Sequence, residues 1–189
     1  MEFRLFYRGN LRSNGSPKHK QAIRRILHGQ FQVLWEQKPL QKIKNVFLYP
    51  KHPPPNDKAN NIIRKMESFT FAPLVCESTQ WTATLDITLL KREPPGSIVT
   101  QSGDIDNRLK TLLDALRIPH DKSELPVGEE PGEGETPFFC LLEDDSLLTS
   151  ISVTTDRLLG PVASNSEVVL LMKVVTTAHY SIFANYPNL

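Results

Sequence analysis

Asp104-Ile105-Asp106-Asn107 sets two carboxylates two residues apart. In extended chain such positions share a side, so both can converge on one cation. Like charges held close raise each other's pKa, and a divalent ion makes the crowding favourable. Mg2+, or Mn2+, suits such a set because it takes carboxylates plus several waters. An ion held this way can ionise a water for attack on a phosphodiester and stabilise charge on the leaving oxygen. A second acidic group, Glu143-Asp144-Asp145, follows an apolar run at 138–142. Spacing alone also fits a plainer account that needs no metal: Asp104 or Asp106 as a helix N-cap, Asp144 and Asp145 as turn residues. Lys110 stands four residues after Asp106, placed either to meet a bound phosphate or to pair with Asp106 or Asp114 at helical spacing.

The elements that must position these residues follow from hydrophobic period. Leu109, Leu112, Leu113 and Leu116 recur at helical spacing, predicting an amphipathic helix that begins near Asp106 or Asn107 and ends at Pro119. Trp81, Ala83, Leu85, Ile87 and Leu89 alternate with polar residues, the mark of a half-buried strand. Residues 2–8 read as an opening strand. Pro17 opens a second helix carrying Ala22, Ile23, Ile26, Leu27, Phe31 and Leu34, with Lys18, Lys20, Arg24 and Arg25 in its early turns. A strand or strand pair follows Asp145, and the nearly continuous apolar run at 166–175 predicts a deeply buried final strand. The order β-α-β-α-β-β implies an α/β or α+β fold, a mixed sheet with helices packed on it. Residues 42–49 fit a short strand and 56–67 a short helix. Segment 119–137, rich in Pro, Gly and Glu, reads as a mobile acidic insertion.

A chain of 189 residues fits a single domain, 1–189. No run approaches the roughly 18 apolar residues of a membrane span, and MEFRLFYRGN lacks the apolar core of a signal peptide. A soluble, intracellular, cytoplasmic protein with no membrane partner is expected. Cys76 and Cys140 sit in no metal-binding or redox spacing and read as buried free thiols. The net charge of +1 conceals a division: residues 1–65 hold fourteen Lys and Arg against three acids, whereas the remainder holds eight against eighteen. Such asymmetry fits either one positive face for nucleic acid or a surface shuffled by folding.

Gly103-Asp104-Ile105-Asp106-Asn107-Arg108-Leu109-Lys110, continuing to Asp114-Ala115-Leu116, resembles the DxDN…K…DAL segment of the RusA-type Holliday junction resolvases. The family's later Asp-Asp pair is matched by Asp144-Asp145-Ser146, in the right order and ahead of a strand. The resemblance implies a RusA-like fold in which Asp104, Asp106 and Asp145 bind Mg2+ and Lys110 assists catalysis. It implies phosphate contacts from Lys110, Arg108, Lys18, Lys20, Arg24 and Arg25, branched DNA as substrate, and a homodimer. Asn107 would support the turn into the helix, and Asp114 would be structural. Residues 38–75 and 119–137 stand as additions to the family pattern, the second a candidate surface for a protein partner. Two other readings keep less of this: an inactive nucleic-acid-binding or regulatory module, and an assembly component whose oppositely charged halves meet partners.

Overall fold

In a computed structural model of the chain, residues 1–48, 62–92, 105–164 and 166–179 are described. In chain order the elements are β1 (Glu2–Asn10), α1 (Pro17–Trp35), α2 (Leu40–Leu48), β2 (Arg64–Met66), β3 (Phe69–Val75), β4 (Trp81–Lys91), α3 (Ile105–Leu116), β5 (Phe138–Leu142), β6 (Leu148–Arg157) and β7 (Glu167–Ala178). The fold is mixed α+β, with two mixed sheets and three helices packed on them. None of the described helices is long and apolar enough to cross a membrane.

The larger sheet has the order β1-β7-β4-β6. Strand β7 pairs antiparallel with both β1 and β4, and β4 pairs parallel with β6 from Ala83/Leu148 to Lys91/Arg157. Its inner face supplies Leu5, Tyr7, Leu85, Ile87, Leu170, Met172 and Val174 to the main core, which α1 closes with Ile23, Leu27, Phe31 and Trp35. The helix starts where the chain chemistry permits: Ser16 Oγ accepts the His19 N–H, and Pro17 fills a first-turn position that needs no N–H. The smaller sheet has the order β2-β3-β5, with β3 and β5 parallel. Both faces of β5 are covered: Phe139 and Leu141 enter the main core, whereas Phe138 and Cys140 join Phe69, Phe71, Ile118 and Leu125 in a second cluster. Double coverage is why β5 reads as an unbroken apolar run.

Four expectations change. Residues 40–48 form α2 rather than a strand, because Leu40, Ile43 and Phe47 lie on one helical face and pack into the core. Residues 64–66, placed in a helix by the sequence, form β2 and pair with β3 at the turn Glu67-Ser68; residues 56–61 of that expectation lie outside the described residues. Strand β7 is buried on one side alone: Val168, Leu170, Met172 and Val174 point inward, while Leu171 is 45% exposed beside Phe6 at 49%. The apolar run continues onto an outward face that carries its own apolar residues. Finally, segment 119–137 follows a defined path along the molecule, with a 3-10 turn at Lys122–Glu124 and Leu125 buried in the second cluster. Both cysteines are buried free thiols, as expected.

Candidate metal centre

Helix α3 carries three of the expected site residues in its first turns, Asp106, Arg108 and Lys110, of which Asp106 and Lys110 are exposed. Asp104 lies outside the described residues. Leu112, Ala115 and Leu116 hold the helix in the main core, and Gly15 of the loop after β1 packs against Thr111, donating its N–H to Thr111 Oγ1 at 2.9 Å. A side chain at position 15 would collide with Thr111, so the close approach requires glycine.

At the other end of α3 the chain turns beside β5. Arg117 bridges to Leu142, and the Ile118 N–H donates to Leu142 O at 3.0 Å. Ile118-Pro119-His120 thus runs alongside Leu142-Glu143-Asp144. Glu143 is held toward β3: its N–H donates to Val75 O, and its carboxylate accepts Arg64 and the Glu77 N–H. Successive side chains of extended chain face opposite ways, so Asp144 projects away from Glu143. It meets His120, whose Nδ1 lies 3.6 Å from Asp144 Oδ2. Asp144 also caps the 3-10 turn Asp145–Leu147 by accepting the Ser146 N–H at 2.8 Å. That bond, aided by the nearby His120 and Arg117 charges, holds its carboxyl below the usual range.

One potential ligand atom from each of His120, Asp144 and Asp145 lies within 4.8 Å of the others, and among the described residues this is the one such group. Asp145 thus lies beside His120 and Asp144, and Asp106 is not part of that group. Spacing could not have disclosed His120: it sits 24 residues before Asp144, in the stretch read as an insertion. Only the pairing of Arg117 with Leu142 brings the two together.

The expected phosphate-binding residues divide sharply. Lys18 and Lys110 are exposed, and Arg108 is half-buried. Lys20, Arg24 and Arg25 are each engaged by partners within the chain. Lys20 Nζ lies 2.6 Å from Asp114 Oδ2, and Arg117 holds Asp114 Oδ1 at 2.8 Å. Arg24 is 1% exposed and donates to Asp114 O at 2.7 Å and Gln21 Oε1 at 3.3 Å. Burial pulls its guanidinium down to about 10, against the opposing influence of Glu124, so it stays charged. Arg117 also forks onto Glu124, with nitrogens 3.0 and 2.9 Å from the two carboxylate oxygens. Burial alone would raise the Asp114 carboxyl, but Lys20 and Arg117 outweigh it and hold it low. Asp114 thus ties α1 to the end of α3, and its partners are Lys20 and Arg117 rather than Lys110.

Arg25 explains the path of segment 119–137. Its guanidinium grips both oxygens of Glu135, at 2.8 and 3.2 Å, together with Glu129 and the Glu130 carbonyl. His28 adds a second tie, accepting the Phe139 N–H on Nδ1 at 2.8 Å and turning Nε2 toward Gly134 O at 3.3 Å. Two of its acids, Glu129 and Glu135, anchor the segment onto α1.

Compared with protein families, curated proteins and solved structures, the chain matches none.

Proposed function

We propose that this protein is a Mg2+-dependent, structure-selective endodeoxyribonuclease that cleaves phosphodiesters of branched DNA. The reading is supported by one observation above all. Asp145 stands exposed within a group of three ligand-bearing side chains, and α3 presents Asp106 and Lys110, exposed and outside any ion pair among the described residues. Asp106 and Asp145, exposed and outside any ion pair among the described residues, suit a divalent ion, and with Asp104 they make up the set proposed for Mg2+, with Mn2+ as substitute. The bound ion would supply an ionised water and neutralise charge on the leaving oxygen. Lys110, projecting from the first turns of α3, orients and neutralises the scissile phosphate. Water adds to phosphorus, one P–O bond breaks, and a phosphate and a hydroxyl end remain. A two-fold homodimer would match the symmetry of a four-way junction.

A second reading, a protein-assembly role, is favoured by the internal engagement of Lys20, Arg24 and Arg25, which removes basic charge from any DNA-binding face. Cleavage separates the two. A labelled four-way junction, beside duplex and single-stranded controls, should be cut with Mg2+, spared with EDTA, and spared by Asp106→Asn and Asp145→Asn proteins with unchanged circular dichroism. Lys110→Ala should lower the rate about 10²-fold with the fold intact. Junction cutting that survives both aspartate substitutions would refute the site, and no cutting by the native protein would leave the assembly reading.

A further inference from the structure

The carboxylates surrounding β5 and the end of α3 are nearly all neutralised by a base. Asp114 has Lys20 and Arg117, Glu124 has Arg117, Glu135 has Arg25, and Glu143 has Arg64. Asp145 breaks this pattern: it makes no ion pair among the described residues, and Asp144 beside it faces the imidazole of His120 at 3.6 Å, with the Arg117 charge nearby. Two adjacent carboxylates and a nitrogen donor from a separate strand-like segment therefore share one small, solvent-open volume.

We propose that His120, Asp144 and Asp145 form a divalent-cation site whose imidazole nitrogen gives it a preference for Mn2+ over Mg2+. Ligand atoms around such an ion lie about 3 to 4 Å apart, given bonds of about 2.1 Å. The three side chains reach that spacing from 4.8 Å by small rotations, which their exposure permits. The backbone beneath them is fixed, because the Arg117 bridge and the Ile118 N–H hold the His120 segment to the Asp144 segment. Mg2+ favours all-oxygen sets, whereas imidazole with carboxylates suits first-row transition ions, so the nitrogen shifts the preference toward Mn2+. The site extends the nuclease reading without depending on it, and Asp145 is the single residue the two share.

The test is Mn2+ binding to the full chain by calorimetry and electron spin-echo spectroscopy, with Mg2+ titrated in parallel. The native protein should bind Mn2+ more tightly than Mg2+ and show nitrogen modulation in its Mn2+ signal. His120→Ala should remove that modulation and weaken Mn2+ binding at least about tenfold. Asp144→Asn, which preserves volume, should weaken it as well. His120 is 48% exposed at its side chain, so its loss leaves the fold standing, which circular dichroism checks. Mn2+ binding that persists in His120→Ala, or that is absent from the native protein, overturns the proposal. If Asp106→Asn abolishes Mn2+ binding while His120→Ala does not, the ion sits in the all-carboxylate set and the proposal falls. Absence of DNA cleavage with Mn2+ binding and nitrogen modulation intact refutes the nuclease reading alone.

Discussion

Asp114 shows how much a single carboxylate can carry. It neutralises Lys20 and Arg117, while its carbonyl accepts Arg24, so two bases of α1 and one at the exit of α3 depend on one residue. Asp114→Asn would leave Arg117, 4% exposed at its side chain, short of its counter-charge. Breaking such a pair costs about 3 kcal/mol, to be read as a lowered midpoint in urea denaturation; a change within error would show that Glu124 alone suffices. His28 sets a pH limit. Burial lowers its pKa below 6.5, and the Phe139 N–H bond occupies the nitrogen a proton would need. The folded state therefore favours neutral His28, and the unfolded chain binds the proton at higher pH. Its stabilising contribution is complete above about pH 6.5 and declines as pH falls through the lower folded value. Urea midpoints at pH 7.5 and pH 5 should differ more for the native chain than for His28→Gln, and equal differences would exclude His28 as the source.

At the scale of elements, α1 works on two sides. Its apolar residues close the main core, and its arginines fasten segment 119–137. Arg25→Ala should free the Glu129–Glu135 stretch while leaving the core intact, so limited proteolysis should cut near Glu133 faster with little change in far-ultraviolet dichroism; an unaltered cleavage pattern would assign that path to His28 and Leu125. The same elements show what the sequence discloses. Helices α1 and α3 and strand β4 were readable because each has one apolar face with a clean period. Helix α2 was misread because its nine residues give only about two and a half turns of period. Strand β3 escaped because Pro73 interrupts a run buried on both faces, where alternation vanishes. Of the group beside β5, Asp144 and Asp145 stood out in the sequence as an acidic pair. His120 was invisible, since its position is set by a bridge between residues 117 and 142. The charge division between the halves was legible, yet its meaning was not: several bases of the first half face the acids of the second, inside the molecule.

On the scale of the whole molecule, strand order matters most. β1 and β4 never touch as strands, because β7 lies between them and bonds to both, joining Glu2 to Val175 and Lys91 to Val168. Among the described residues, the outer strand β6 is held by β4 alone. Such long-range pairing lowers folding rates, since the chain must close wide loops before gaining contacts. On a ribosome, β1 emerges with its antiparallel partner still unmade, and it must wait until Glu167–Ala178 has cleared the exit tunnel. The larger sheet is a keystone structure, assembled from its flanks and locked by the last of its four strands in chain order.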